Sequence, residues 1–154
     1  SLKLLNGTVT VATENGNNCT AEGYYDSVSD QIAIHMKSKF STITHELGHA
    51  LDYNKIHTDN KSSVSDNEYY EQIFNEELQN YLDAGNKRYE YGVYEEIESY
   101  ATTNKKEMFA ECYTLLMLGD CHSKKVIEEY FPRMLSYVKK LVEYNRSLDD
   151  SIRH

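Results

Sequence analysis

The period of the hydrophobic pattern changes near Ser41, and this change limits the folds that the chain can adopt. Before it, apolar and polar residues alternate at positions 8–13 and again at 31–36, which is typical of strands, while residues 23–29 fit either a short strand or a loop. After it, apolar residues recur every three or four positions, as in amphipathic helices. Because the strands precede the helices instead of alternating with them, the pattern predicts an α+β fold. A small N-terminal β-sheet is expected before the first helix, and a mainly helical part after it.

Capping residues and apolar spacing also predict where the later helices lie. Asn104 is a suitable N-cap, and Gly119 a suitable end, for a helix that closes at Leu118. The predicted helices after the first are 67–82, 104–118, 124–130 and 132 to about 149, with a loop at 84–94 and a short helical turn at 95–100.

Length and charge narrow the class of protein. The 154 residues fit one domain, 1–154, and the formal net charge is -9, without a run of more than two basic residues. We therefore expect neither a nucleic-acid nor an anionic-membrane partner. Cys19, Cys112 and Cys121 lack C-x-x-C spacing, which favours buried or free thiols over a cysteine metal site and leaves one disulfide as an alternative.

The first helix carries the sequence H-E-L-G-H at positions 45–49. Residues four apart lie on one helix face, so His45 and His49 can bind the same metal ion, and Glu46 can reach a water molecule on it as a general base. This pattern predicts a zinc site. Asp52 falls within about 60° of the two histidines around the helix axis, on a face that we expect to be solvated.

A hydrolytic zinc site needs a third protein ligand, and two segments could supply it. The residues at the metzincin positions are Asp52 and Lys55, which excludes that class. Glu107 could bind the metal while Glu111, one turn later, orients a ligand histidine; Asp52 is a second candidate for that orienting role. The alternative is Glu71 or its neighbour Glu68 on the preceding predicted helix.

The blocks HELGHALD and SYATTNKKEMFAECY resemble the catalytic domain of anthrax lethal factor and the related Pro-Pro endopeptidases, which are secreted zinc peptidases of Gram-positive bacteria. That family has H-E-x-G-H-x-x-D, and then a Tyr seven residues before an E-x-F-A-E segment. The residues that match are His45, Glu46, Gly48, His49, Asp52, Tyr100, Glu107, Phe109, Ala110 and Glu111. The resemblance extends from Gly23 to the C-terminus, although it is specific only in these two blocks.

The resemblance implies a zincin-like fold of the gluzincin type and a role for each matched residue. His45, His49 and Glu107 would bind Zn²⁺, Glu46 would act as the base, and Tyr100 would donate a hydrogen bond to the oxyanion. The expected function is a secreted zinc endopeptidase acting on a peptide or protein substrate. One alternative is a zinc-bound, non-catalytic toxin-like module that binds a partner, and another is a helical interaction domain with a chance motif.

Overall fold

The computed structural model describes the backbone of residues 9–12, 23–26, 31–35, 40–53, 63–90 and 100–153. Side chains are described for residues 40–53, 63–85 and 101–148.

Three short strands precede five helices. The strands β1 (Val9–Ala12), β2 (Gly23–Asp26) and β3 (Gln31–His35) lie in the order β1-β3-β2, with β1 parallel and β2 antiparallel to β3. The helices are α1 (Phe40–Asp52), α2 (Glu68–Glu90), α3 (Lys105–Leu118), α4 (Lys124–Tyr130) and α5 (Pro132–Arg153), with 3-10 turns at Val64–Asp66 and Tyr100–Thr102.

The predicted fold class, α+β with an N-terminal β-sheet, requires correction. Of the residues whose side chains are described, 87% are helical and none lies in a strand. Fold class depends on which layers enclose the core, and the described core is enclosed by helices alone. The alternation at 8–13 and 31–36 does coincide with β1 and β3, but it reports local backbone preference and not the composition of the core.

Local signals account for both ends of α3. The Asn104 side chain accepts hydrogen bonds from the backbone N–H groups of Lys106 and Glu107, and Gly119 ends α3 with a left-handed φ of 71°. Both predicted caps are thus confirmed. The loop predicted from residue 84 is wrong as far as residue 90, because α2 continues to Glu90. The sequence A-G-N there resembles a helix stop, yet the helix continues through Gly85 at a modest cost in propensity.

The described core lies between α3 and the helices around it. Residues 108–115 of α3 are all buried, so this part of the helix is enclosed on every side. Aromatic rings from three helices meet there, with Tyr70 against Phe109 and Tyr137, and Phe74 against Phe131. Within the described residues, no helix combines the length and apolar composition needed to cross a bilayer.

Candidate metal centre

Helix α1 presents its motif residues to α3 and not to solvent. His45 and His49 have 13% of their side chains exposed, and Glu46 is 7% exposed. Asp52, one turn further along, is completely buried. The expectation that this face is solvated is therefore wrong, because α3 covers it. The two imidazole rings stand edge to face with centroids 4.8 Å apart, as their one-turn spacing dictates.

Helix α3 brings Glu107 to the two histidines. The Asn104 cap holds the first turn of α3, accepting from the N–H of Glu107 at 2.9 Å. From this turn, Glu107 Oε2 lies 2.8 Å from His45 Nε2, and its Oε1 lies 3.3 Å from His49 Nε2. One ligand atom from each of the three residues can be chosen so that all lie within 4.8 Å of one another. This group could hold a metal ion.

The chemistry of these donors suits zinc. Two imidazole nitrogens and one carboxylate are the protein ligands of a His₂Glu zinc site, which leaves a fourth position for water or substrate. Bonds of about 2.1 Å in tetrahedral geometry place ligand atoms roughly 3.4 Å apart. The 3.3 Å between Glu107 Oε1 and His49 Nε2 is close to that value, whereas the 2.8 Å between Glu107 Oε2 and His45 Nε2 is a hydrogen-bond distance that a shared metal ion would lengthen.

The electrostatics of the metal-free cluster are those of a shared ion pair. Burial lowers the pKa of His45, but the hydrogen bond and charge of Glu107, with the charges of Glu111 and Glu46, outweigh it and leave that pKa above its ordinary value. Burial also opposes ionisation of Glu107, but hydrogen bonds with both histidines lower its pKa to about 2. The carboxylate is therefore ionised at neutral pH, as a metal ligand must be.

Glu111 lies behind His45, on the side away from Glu107. Its Oε1 is 3.7 Å from His45 Nδ1, and its side chain is only 2% exposed. A buried carboxylate at this nitrogen favours the tautomer that leaves Nε2 free to bind metal. Cys121 adjoins the same carboxylate: burial, followed by the charge and hydrogen bond of Glu111, raises the pKa of this thiol to about 12.

The carboxylate of Asp52 is held by Ser65. Its Oδ1 accepts from the backbone N–H of Ser65 and its Oδ2 from the hydroxyl, both at 2.7 Å. Burial raises the pKa of Asp52 to about 6, against these hydrogen bonds, which favour the charged form. These hydrogen bonds join the end of α1 to the turn before α2, whereas the role predicted for Asp52 from the sequence was to orient a ligand histidine.

A polar network that the sequence analysis missed joins this turn to the start of α3. Asp66 accepts from the hydroxyl of Ser63 at 2.8 Å and lies 3.1 Å from the ammonium of Lys105. The phenol of Tyr70 donates to the Lys105 carbonyl at 2.6 Å. These partners are up to 39 residues apart in sequence (66 to 105), so no local pattern could have indicated the network.

Other sequence candidates lie elsewhere. The carboxylate of Glu71, the competing third ligand, is 3.2 Å from the ammonium of Lys105, and its side chain is half exposed. Tyr100 opens the 3-10 turn Tyr100–Thr102, and its side chain lies outside the described residues. Cys112 and Cys121 are free thiols, while Cys19 also lies outside the described part.

These observations define a mainly helical domain with a His, His, Glu group that could hold a metal ion. A family model described as "Anthrax toxin lethal factor, N- and C-terminal domain" matches residues 26–141, and the chain belongs to this family. The lethal-factor-like relationship expected from the two motif blocks is thereby shown. The description names both terminal domains together and does not single out the catalytic one. A search of curated proteins found no match.

Proposed function

We propose that this domain is a zinc-dependent endopeptidase whose metal is held by His45, His49 and Glu107. The observation that carries the proposal is that Glu107, 62 residues from His45, meets the two histidines of the H-E-x-x-H motif from a different helix. Helical periodicity explains why two histidines share a face, but it does not explain why a carboxylate from another element lies at both imidazole nitrogens. Membership in the lethal factor family supports the same conclusion.

Bound zinc would act as a Lewis acid that polarises the scissile carbonyl and acidifies the attacking water. The other roles belong to the chain's own residues. Glu46, on the same helix turn as the two histidines, takes the proton of the attacking water and delivers it to the leaving amine. Glu46 is only 7% exposed, so bulk water has little access to its carboxylate. Glu111 keeps His45 in the tautomer that offers Nε2.

Tyr100 is proposed as the donor to the oxyanion. The proposal rests on its spacing from Glu107 in the family pattern and on its position at the start of the 3-10 turn that precedes α3. A phenol aimed at the developing charge contributes a few kcal/mol in sites of this kind.

The proposed partner is a peptide or protein substrate, and we propose that the protein is secreted, in keeping with its toxin family. The competing function is a zinc-bound module that binds a partner without cleaving it. The presence of Glu46 favours catalysis, because a structural zinc site does not need a general base.

The test combines metal analysis with digestion of a peptide library, read by mass spectrometry with a chelator control. We expect about one zinc per chain and cleavage that the chelator abolishes. Glu46→Gln should keep the zinc and lose 10²-fold to 10⁴-fold in turnover, the range for loss of a general base. Glu128→Gln, at an exposed glutamate of α4, is the matched control and should behave as the parent.

Zinc binding without cleavage of any library peptide would favour the non-catalytic module. Equal turnover of Glu46→Gln and the parent would remove Glu46 from the mechanism. A parent protein without zinc would contradict the whole proposal.

A further inference from the structure

Helix α1 packs closely against α3 at Gly48, a residue of the H-E-L-G-H sequence. A Cβ atom built on Gly48 would lie 2.9 Å from the Cα and 3.2 Å from the carbonyl oxygen of Ala110, and 3.1 Å from the Cβ of Tyr113. Two of these three atoms belong to the backbone of α3, so no rotation of a side chain could relieve the contact. The distance between two packed helices depends on the side chains at their contact, and here one helix contributes none.

We propose that Gly48 is a positioning residue: the missing side chain at position 48 sets the separation of α1 and α3 at which Glu107 reaches both histidines. The inference rests on the proposed zinc site and adds a determinant of its geometry. Glu107 lies one turn before Ala110 on α3, and Glu111 immediately follows it, so both carboxylates flank the contact with Gly48.

The magnitudes support a role in metal binding. Real Cβ atoms essentially never lie within 3.0 Å of such an atom and ordinary contact begins at 3.4 Å, so a Cβ at 2.9 Å from the Ala110 Cα requires α1 and α3 to separate by about 0.1 to 0.5 Å (3.0 minus 2.9 and 3.4 minus 2.9). Metal–ligand distances tolerate deviations of about 0.2 Å. Most of this range exceeds that tolerance, although it is small relative to the spacing of the helices.

The packing around the other faces of α3 limits how the helix can move. Residues 108–115 are buried, and Phe109 packs against Tyr70 of α2. A displaced α3 would compress this packing, so a side chain at position 48 has two expected effects: lower stability of the apo domain and weaker binding of zinc. Only the second distinguishes positioning from a structural role.

The experiment compares Gly48→Ala with two controls. Gly85→Ala changes another helical glycine, where an added Cβ meets nothing within 4 Å. Val138→Ala removes buried volume from α5 and lowers stability without changing the α1–α3 contact. For each variant, zinc affinity is measured by competition with a chelating dye, and apo unfolding is measured by circular dichroism.

We expect zinc to bind Gly48→Ala at least about 10-fold more weakly than the parent, while the apo variant remains folded. Gly85→Ala and Val138→Ala should keep the parent affinity, the latter with a lower apo midpoint. A parent that binds zinc together with an equally tight Gly48→Ala overturns this inference and leaves the proposed function intact. A parent that binds no zinc overturns both.

If Gly48→Ala does not fold, Ala110→Ser adds one atom to the completely buried residue whose backbone forms the same contact. The expected result is again weaker zinc binding by a folded protein. Parent affinity in Ala110→Ser would then overturn the inference.

Discussion

At the scale of single residues, the metal centre depends on one carboxylate that serves both histidines. Each oxygen of Glu107 faces a different imidazole, at 2.8 Å from His45 and 3.3 Å from His49. The same contacts lower the pKa of Glu107 to about 2 despite its burial, so the group is ionised across the physiological range. A metal ion entering the site would replace existing contacts among its own ligands, and therefore little reorganisation of the side chains is required.

We expect Glu107→Ala to weaken zinc binding by more than about 100-fold, because loss of a direct ligand should exceed the 10-fold to 100-fold effect of losing an outer partner. Glu71→Ala is the matched control, since Glu71 pairs with Lys105 at a half-exposed position and lies outside the described cluster. Zinc titration of both variants provides the measurement. Weak binding by Glu71→Ala and normal binding by Glu107→Ala would reverse the assignment of the third ligand.

At the scale of helices, buried acidic side chains connect elements that are distant in sequence. Glu77 of α2 is 4% exposed and accepts from the backbone N–H groups of Arg133 at 3.2 Å and Met134 at 2.8 Å. It therefore caps the first turn of α5, where Pro132 leaves no donor of its own to satisfy. Asp52 acts in the same way on the backbone N–H of Ser65.

Glu77→Ala should lower the free energy of unfolding by about 1–2 kcal/mol, because it removes the acceptor for two helix N–H groups, of which that of Met134 is buried. Urea denaturation at a pH near neutral measures the change. Glu76→Ala is the control, since the neighbouring carboxylate is exposed and pairs with the side chain of Arg133 at 2.6 Å. An exposed ion pair contributes little to stability, so this variant should unfold near the parent midpoint. Equal losses in both variants would contradict the capping role.

The features that could be predicted from the sequence are those encoded within a few residues. Asn104 and Gly119 bound α3 as predicted, because a cap forms with its own backbone neighbours. His45 and His49 share a face because of the helix repeat. The exposure of that face was predicted wrongly, since the pattern within α1 contains no information about α3.

Contacts between segments that are distant in sequence could not be predicted. The contacts of Asp52 with Ser65 and of Glu77 with the start of α5 join segments whose spacing obeys no period. Helix α2 continues past Gly85, where the backbone does not adopt a positive φ, so this glycine is a weak helix former and not a required turn. Glu107 could be placed near the histidines only through the resemblance, since Glu71 satisfied the same chemical requirement.

At the scale of the whole molecule, the proposed zinc ligands come from two helices, α1 and α3, which are separated in sequence by residues 53–104. A ligand that binds only the folded state adds stability according to its concentration relative to Kd. Zinc at 100 times its Kd would contribute about 2.7 kcal/mol. For a domain of this size, that corresponds to a rise of roughly 5–10 °C in the unfolding midpoint.

The zinc-dependent rise in the unfolding midpoint should depend on pH, and the direction of this dependence follows from the raised pKa of His45. Burial lowers the pKa of His45, but its carboxylate neighbours raise it more, so the metal-free site holds a proton that zinc must displace. Zinc affinity therefore decreases as the pH falls through that raised pKa. Without zinc, the contribution of His45 to folding is complete below its unfolded pKa of about 6.5 and is lost as the pH rises through the folded value. Both effects come from the same proton, and its loss from the metal-free site widens the difference between the zinc-bound and metal-free midpoints as the pH increases.

We expect the zinc-dependent rise in the unfolding midpoint to be small near pH 5.5, below the ordinary histidine pKa of about 6.5, and to increase with pH until the pH exceeds the raised pKa of His45. Calorimetry with zinc in excess and with a chelator, at several pH values, measures the difference directly. Glu107→Ala is the control and should show little rise at any pH, because it lacks the carboxylate that completes the site. A rise of the same size at every pH would exclude protonation of the site as the competing reaction, and a full rise in Glu107→Ala would place the stabilising zinc elsewhere on the molecule.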